Sequence, residues 1–388
     1  MNKKNYLKSI NNSQKPFIIY KTIKGFDLFT DFSKKIILNN QNIKHFLNQN
    51  HSSKKKYKST DLYIGFFGYE LLNNLIGIKV PRQKSINFPK GIFYKPETRI
   101  NLKEDLIYES QSTHKINRNF KINIDQNLYT KIFDKFKKKI RSGQTYQIKI
   151  CTKYKNKSQI DPLDFFCRLA KTNLAPEAFM IKDKNYSIIS CSPENLINKK
   201  GSSISTKPIA GTLRKTKNIN KRKALNFFKN NIKETKEHNM IVDMERNDLS
   251  RICKTGTVKI NKLKTVEQYR DLYHYVTEIK GKLKKHITNH DIISAMMPGG
   301  SVIGCPKINT IKLLNGREKL NRNIYTGSFG YINANGDMRF NIIIRSILNY
   351  KKRVEISAAS GVVIDSKPKR EYKENYIKAK SLLDLFKT

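Results

Sequence analysis

Apolar and polar positions alternate with two different periods along this chain, and the period predicts where helices and strands lie. Between 127 and 141 apolar residues recur every three or four positions, which predicts an amphipathic helix. Similar spacing predicts helices at 221–247, 291–296, 307–314 and 371–386. Short apolar or alternating runs predict strands at 61–70, 146–152, 186–191, 327–332, 340–348 and 353–357.

The predicted strands are too numerous for a regular alternation of strand and helix. We therefore expect the α/β (α+β) class, as one large mixed or antiparallel two-sheet sandwich with helices on the outside. Residues 1–60 are polar and give little local signal, and a polar link runs near 110–122. We expect 1–115 to form the N-terminal part of the sandwich and 120–388 to form the catalytic region.

The charge of the chain is unusual, because 77 Lys and Arg face 31 Asp and Glu, a formal net charge of +46. Such an excess is typical of nucleic-acid-binding proteins. Here the basic residues are spread over the whole length, and no zinc-finger spacing, helix-turn-helix or aromatic RNA-binding signature accompanies them. The composition favours a solvated basic surface, which would also attract an anionic substrate.

The cysteines and the apolar runs point to the compartment. Five cysteines are scattered without a CxxC pair, which favours a reducing environment. The N-terminal segment has no leader-like apolar core, and no run reaches the roughly 18 apolar residues of a membrane span. We expect a cytoplasmic protein with no membrane association.

Two predicted helices carry paired carboxylates. Glu234 and Glu237 are three positions apart, so they share one helix face, and Glu371, Glu374 and Lys378 are spaced in the same way. Two such faces meeting would surround a Mg²⁺ ion with oxygen ligands. Taken alone, each pair is more typical of a solvated helix face.

Glycine-rich turns and two basic residues supply further candidates for anion binding. The turns at 208–212, 298–301 and 304–307 let the backbone approach a ligand closely, although ordinary turns have the same composition. Lys307 begins a predicted helix. Arg345 lies in an apolar run, where its guanidinium needs an anionic partner, either a carboxylate of a substrate or a structural ion-pair partner.

Taken together, these residues resemble the chorismate-binding enzyme family, which includes anthranilate synthase component I, aminodeoxychorismate synthase component I and isochorismate synthases. The resemblance follows the family order from Gly143 to Ala379, and a glycine/tyrosine strand at 65–70 resembles the amine-transferring members. The matching motifs lie at 143–148, 192–194, 208–212, 237–248, 299–307, 325–331, 344–345, 361–366 and 371–378, with His274 between them.

The resemblance implies a role for each matching residue. Glu237 and Glu374 match the Mg²⁺ ligands, with Glu234 and Glu371 supporting them. Glu194 matches the general acid that protonates the departing C4 hydroxyl, and His274 matches a histidine implicated in loss of the pyruvyl group. The positions matching substrate contacts are Gly211, Thr212, Tyr325, Arg345, Gly361, Lys378 and Lys307, and Thr212 is also a catalytic candidate.

The site of amination is the open question within the family. Ala210 stands where many aminodeoxychorismate synthases have a nucleophilic lysine, which favours amination at C2 and an anthranilate synthase. The short N-terminal part, the missing Leu-Leu-Glu-Ser motif and the turn at 298–301 favour aminodeoxychorismate synthase component I, which is our expectation. An isochorismate or salicylate synthase fits less well, because water activation there uses a lysine base.

This interpretation implies chorismate and ammonia as substrates and Mg²⁺ as the cofactor. No cysteine-based glutaminase motif is present, so ammonia is expected from a separate glutamine amidotransferase subunit or from free ammonium. The alternative from another class is a basic nucleic-acid-binding or scaffold protein with an inactive enzyme fold. A nucleic-acid partner is not expected, because the acidic and basic candidates of the site are all present.

Overall fold

A computed structural model gives the architecture of the chain and describes residues 3–49, 57–80, 86–103, 106, 108, 116–216, 218–269 and 272–387. The described helices are α1 Lys3–Asn12, α2 Ile43–Asn48, α3 Tyr69–Leu75, α4 Gln126–Arg141, α5 Pro162–Asn173, α6 Lys221–Asn230, α7 Ile232–Ile252, α8 Asn289–Met296, α9 Lys307–Asn315 and α10 Pro368–Leu383.

The strands cover nearly the whole length between these helices. They are β1 Phe17–Thr22, β2 Gly25–Ile37, β3 Leu62–Phe67, β4 Gly91–Asn101, β5 Lys121–Ile122, β6 Gln147–Lys157, β7 Glu177–Asp183, β8 Tyr186–Ser192, β9 Asn195–Lys200, β10 Ser203–Lys207, β11 Ile209–Arg214, β12 Lys259–Gln268, β13 Leu272–Lys282, β14 Gly304–Cys305, β15 Ser328–Asn333, β16 Met338–Asn341, β17 Ser346–Tyr350 and β18 Arg353–Val362. The predicted mixed class, rich in antiparallel strands and with many helices, is confirmed.

Three predicted elements are divided or end early in the structure, whereas others differ only in length. The helix predicted at 221–247 is two helices, because Asn231 separates α6 from α7 and its side chain caps α7 by accepting a hydrogen bond from the Glu234 N–H. The strand predicted at 340–348 is interrupted between β16 and β17, where Arg345 has a φ of 49°. The strand predicted at 61–70 ends at Phe67, and α3 begins at Tyr69.

All described strand pairings are antiparallel, and the strands form one continuous hydrogen-bonded series. From β6 the series runs through β18, β17, β8, β7, β1 and β2. It continues through β4, β3, β15, β16, β9, β10 and β13. The pair β2–β4 therefore joins two halves of the series, and the N-terminal strands lie in its middle.

Apolar residues from both halves are buried in two large clusters. One contains Phe166, Ile189 and Leu382, which lie on α5, β8 and α10. The other contains Leu249 of α7 and Phe340 of β16. Full burial of such a side chain stabilises the fold by about 1.5–3 kcal/mol, so α7 and α10 are held by their apolar faces.

The elements that position the candidate site meet at the end of β6. Strand β18 pairs with β6 so that Gly361 lies opposite Lys149. Helix α10 packs on β18, and α7 packs against β11 and β13. Within the described ranges, no helix is both long and apolar enough to cross a bilayer.

Candidate active site

An ion pair between β6 and α7 lies at the centre of the site. The Lys149 Nζ atom is 2.9 Å from Glu237 Oε1, and the Gln147 side-chain amide donates to the same oxygen at 2.8 Å. Burial favours the neutral form of Glu237, but the Lys149 ammonium outweighs it and lowers the pKa of Glu237 to about 2. Glu237 is therefore a carboxylate at every physiological pH.

Helix α10 brings its acidic and basic residues to the same place. The Lys378 Nζ atom is 2.8 Å from Glu374 Oε1 and donates to the Ala359 carbonyl at 3.1 Å. The buried Glu371 accepts a hydrogen bond from the Ser366 hydroxyl at 2.9 Å. Glu374 and Glu371 both raise the pKa of Lys149, and Lys378 lowers that of Glu237. The structure thus brings together the two carboxylate clusters predicted from spacing.

Gly361 lies directly against this cluster. A Cβ atom at this position would lie 2.8 Å from Lys149 Nζ and 2.9 Å from the Gln147 amide nitrogen, both too short for ordinary contacts. A larger residue would therefore displace the two side chains that hold Glu237. The close packing of Lys149 and Gln147 therefore requires glycine at position 361.

The glycine-rich motif at 208–212 forms a bulged strand beside α7. Gly211 has a φ of +81°, and its pairing with β13 shifts register between Ala210 and Thr212. A Cβ atom at Gly211 would lie 3.1 Å from Glu234 Oε2, so Glu234 faces the bulge. The side chain of Thr212, another predicted site residue, lies outside the described part of the chain.

Glu194 lies at the turn between β8 and β9 and is 5% exposed. Burial raises its pKa to about 7, although Ser301, Lys149 and Arg345 act in the opposite direction. Its Oε1 atom is buried without a hydrogen-bond partner in the described residues. A carboxyl group with these properties is partly protonated near neutral pH, as a general acid requires.

Behind Glu194 lies a second buried acid that sequence reasoning missed. Glu245 of α7 is 1% exposed and accepts a hydrogen bond from the Thr206 hydroxyl. Burial and the charge of Glu194 raise the pKa of Glu245 to about 8. The only sequence signal was its place in the motif at 244–248, which does not distinguish a buried acid from a solvated one.

The structure does not bring Lys307 into the central cluster. Its Nζ atom is 2.5 Å from Asp248 Oδ2 and 3.1 Å from the Ala295 carbonyl oxygen. These contacts anchor the start of α9 to α7 and the end of α8. A substrate contact by Lys307 remains a prediction that this geometry does not support.

Arg345 acts electrostatically on Glu194, and it lines a small cavity together with His274, Tyr269 and Leu272. Within the described ranges, the Arg345 guanidinium forms no ion pair. Burial and the nearby positive charge of Arg345 lower the pKa of His274 to about 4, so this imidazole is neutral at pH 7. The structure therefore offers a cation for an anionic ligand beside a neutral histidine.

Tyr325 lies against β18 beside Ala359, a residue on the same face of the strand as Gly361. It is 5% exposed and packs with Cys151, Ala359 and Ile344. Its neighbour Ala359 also accepts the hydrogen bond of Lys378. The phenol is thus close to the α10 part of the site, although it is covered in this structure.

The residues fit a magnesium ion by donor type. In the part of the chain that the structure describes, no three His, Cys, Asp or Glu side chains form a ready-made metal cluster. However, Mg²⁺ keeps several waters and is commonly bound through one or two carboxylates and the substrate. Glu237 and Glu374 supply such oxygens beside Lys149, but each is ion-paired to a lysine.

Lys149 is the central residue that sequence reasoning missed. It follows the predicted motif at 143–148 by one position and alternates with apolar residues in a strand, where lysine usually faces solvent. Its side chain is instead 10% exposed. The alternation of β6 placed Gln147 and Lys149 on one face, but only the packing of α7 showed that this face is covered.

Comparison with known proteins assigns the chain to a family. The family model for chorismate binding enzymes matches residues 3–384. The chain is 36% identical over 252 residues to aminodeoxychorismate synthase component 1 of Bacillus subtilis, a match that covers 65% of this chain and 54% of the relative. It is 30% identical over 347 residues to an anthranilate synthase component I-like protein of Synechocystis, covering 83% of this chain and 72% of the relative.

A solved structure agrees with these matches. The anthranilate synthase component I of Streptococcus pneumoniae superposes with a TM-score of 0.75 at 27% identity, covering 95% of this chain and 90% of that one. The matched segment is about half the length of the Bacillus subtilis relative. With a family model that matches residues 3–384, the chain belongs to the chorismate binding enzymes.

Proposed function

We propose that the protein is an aminodeoxychorismate synthase component I, which converts chorismate and ammonia to 4-amino-4-deoxychorismate and water. The observation that supports it best is Glu194, a buried carboxyl with a pKa of about 7 close to the charges of Lys149 and Arg345. Loss of a hydroxyl group needs a proton donor, because hydroxide is a poor leaving group. Glu194 is suited to protonate the C4 oxygen so that it leaves as water.

Cations are available to hold the two carboxylates of chorismate. Arg345 has no ion-pair partner among the described residues, and its planar guanidinium suits a carboxylate. Lys378 projects from α10 at the level of Ala359, and the nearby Gly361 lies against the side chains of Lys149 and Gln147. We infer that Arg345 and Lys378 orient the substrate so that its C4 hydroxyl meets Glu194.

Glu237 and Glu374 are the residues that would hold Mg²⁺, with Glu371 and Glu234 as their neighbours. When bound, the ion supplies positive charge that neutralises a substrate carboxylate and fixes its position. The chain's own contribution is to keep Glu237 ionised, because the Lys149 ammonium lowers the pKa of Glu237 to about 2. Glu237 therefore remains a carboxylate even at mildly acidic pH.

Ammonia enters as the second reactant and replaces the C4 hydroxyl. With Ala210 in the motif at 208–212, no lysine amine attacks C2 from this position. A free nucleophile would add at C2 as the C4 hydroxyl leaves as water, and ammonia would then add at C4 as that nucleophile leaves C2. The neutral His274 can accept a hydrogen bond in the cavity that it shares with Arg345. A separate glutamine amidotransferase subunit is the proposed source of ammonia.

Anthranilate synthase component I is the second candidate. Ala210 favours it, because direct addition of ammonia at C2 needs no lysine, and His274 lies beside Gly211 with a 3.4 Å contact from Nδ1 to the carbonyl oxygen. In that reaction the pyruvyl group is lost. The turn at 298–301 and the match to the Bacillus subtilis protein favour the first candidate.

Product analysis separates the candidates. The protein is incubated with chorismate, MgCl₂ and ammonium, and the products are separated with and without added aminodeoxychorismate lyase. We expect p-aminobenzoate only when the lyase is present. Fluorescent anthranilate in both samples would replace the proposal by the second candidate. No turnover, together with salt-sensitive binding of nucleic acid, would favour a basic protein with an inactive enzyme fold.

A further inference from the structure

We propose that Lys149 is an internal cation that occupies the Glu237 carboxylate in the metal-free protein and has to leave it when Mg²⁺ binds. The inference rests on the proposed assignment of Glu237 as a metal ligand. It adds that this chain carries its own competitor for the metal. Lys149 then sets the magnesium concentration at which the site is filled.

The contacts of Lys149 show which atom of Glu237 the ammonium occupies. Its Nζ atom is 2.9 Å from Glu237 Oε1, and the pair is mostly buried, with side-chain exposures of 10% and 22%. The same oxygen accepts the Gln147 amide at 2.8 Å. Two donors thus already occupy Oε1, one of the two oxygens that the Glu237 carboxylate could offer to a metal, and a buried ion pair is costly to break.

Lys149 also lies within the field of the α10 carboxylates. Glu374 and Glu371 both act on its ammonium, while Glu374 itself is paired with Lys378 at 2.8 Å. The two lysines offset most of the negative charge of these three carboxylates. A divalent ion entering this site therefore gains less electrostatic energy than the carboxylates alone would provide.

The ion pair excludes two other roles for Lys149 in the metal-free protein. A base or nucleophile needs a neutral amine, whereas an ammonium hydrogen-bonded to a carboxylate is held in its charged form. The Lys149 ammonium acts as a counter-ion.

Gly361 fixes where the ammonium can be. The Lys149 Nζ atom lies 2.8 Å from the position that a Cβ atom at Gly361 would take. The ammonium therefore packs directly against the backbone of β18. Gly361 is also a predicted substrate-contacting position. Lys149 released from Glu237 would therefore remain beside the bound substrate, where a carboxylate can replace its partner.

The test is Mg²⁺ binding in the absence of chorismate, measured by isothermal titration calorimetry with MgCl₂. Lys149→Gln removes the charge at similar length and should lower the dissociation constant roughly tenfold, because the apparent affinity of a site falls with the fraction that is occupied by a competitor. Lys149→Arg keeps a cation and should bind no more tightly than the parent. Lys155→Gln is the matched control, since Lys155 lies on the same strand but pairs with Glu355.

Thermal unfolding and circular dichroism check that each variant is folded. Tighter Mg²⁺ binding by Lys149→Gln alone supports the inference. Equal or weaker binding by Lys149→Gln contradicts it, as does absence of Mg²⁺ binding in both proteins. Turnover of chorismate by the parent protein, with and without Mg²⁺, is measured in parallel. If turnover depends on Mg²⁺ while Lys149→Gln binds it no more tightly, the inference fails and the proposed function stands.

Discussion

Glu194 and His274 have opposite shifts of pKa for the same physical reason. Burial disfavours the charged form of each, which raises the pKa of Glu194 to about 7 and lowers that of His274 to about 4. Near neutral pH the site therefore contains a carboxyl that can still donate a proton and an imidazole that can still accept one. Pairs of groups with separated pKa values are typical of acid–base sites.

Replacing Glu194 tests its role as the acid. Glu194→Gln keeps the shape but has no proton to donate, so turnover of chorismate should fall about 10²–10⁴-fold with little change in stability. In the parent protein, turnover should decline as the pH rises through about 7, because Glu194 loses its proton there. A steady-state pH profile checks both points. An unchanged profile in Glu194→Gln would contradict the assignment.

Arg345 and Arg339 provide a matched pair for separating binding from folding. Arg339 is ion-paired with the fully buried Glu177, whereas Arg345 forms no ion pair in the described residues. Arg339→Ala should therefore lower the free energy of unfolding by about 3–5 kcal/mol. Arg345→Ala should leave it nearly unchanged but raise the KM for chorismate about 10–100-fold.

Chemical denaturation and initial-rate kinetics measure these two effects. Equal destabilisation by both variants would mean that Arg345 has a structural role. An unchanged KM in Arg345→Ala would remove it from the substrate site.

For single residues, the sequence predicted which side chains carry the chemistry better than it predicted which charged side chains are buried. Glu237, Glu374 and Lys378 were found by helical spacing and by resemblance, and the structure brings them together. Lys149 and Glu245 could not be found, because burial of a charged residue depends on elements distant in sequence. Lys307 was predicted to contact the substrate because it belongs to a family motif, but in the structure it forms an ion pair with Asp248.

Single elements show where local patterns stop being informative. Periodicity correctly placed α4 and α9 to within a residue or two. Periodicity predicted α6 and α7 as one helix, because the spacing of apolar residues is continuous over 221–247. The structure has two helices, because Asn231 adopts an extended conformation between them and caps α7. Periodicity also predicted β16 and β17 as one strand. The four residues 342–345 continue the apolar run but belong to neither strand.

The bulge in β11 can be tested with two glycines that share a positive φ. Gly211→Ala meets backbone strain and also a Cβ contact of 2.8 Å with the Phe228 ring, whereas Gly201→Ala meets the strain alone. Gly201→Ala should cost about 1 kcal/mol of stability. Gly211→Ala should cost more and should also lower chorismate turnover, because the bulge has to shift beside Glu234.

Unfolding in urea and initial rates compare the two variants with the parent. If both lose the same stability and keep full activity, the bulge does not position the site.

For the molecule as a whole, buried acids and histidines set how stability depends on pH. Burial raises the pKa of Glu70 and Glu194 to about 7 and contributes to a value of about 8 for Glu245, against 4.5 when unfolded. The folded state therefore binds more protons, and stability is lost as the pH rises from about 4.5 to 8. His238 and His274 act oppositely, since their lowered pKa values of about 4 cost stability as the pH falls below 6.5.

Between about pH 4.5 and 6.5 the three acids outweigh the two histidines, so we expect these five groups to make the free energy of unfolding greatest near pH 4.5. Glu245→Gln removes one titrating acid with little change of shape, so its stability relative to the parent should increase between pH 5 and pH 8, by roughly 3 kcal/mol. Denaturation in urea at several pH values measures this difference. A difference that is constant with pH would show that Glu245 does not titrate in the folded protein.

The fold class could be predicted from the number and length of the predicted strands, but the order of the strands in the sheet could not. Nothing in residues 1–60 indicated that β1 and β2 are central, because strand pairing is decided by distant partners.

This central position has a consequence for biosynthesis. Residues 17–20 pair with residues 179–182, and residues 62–67 pair with residues 328–333. A ribosome therefore releases the apolar strands β1 and β3 long before their partners exist. During that interval their unpaired edges are open to association with other chains. The nascent N-terminal segment should thus be the part of this protein that most depends on chaperones, and slowing translation after β4 should increase its aggregation.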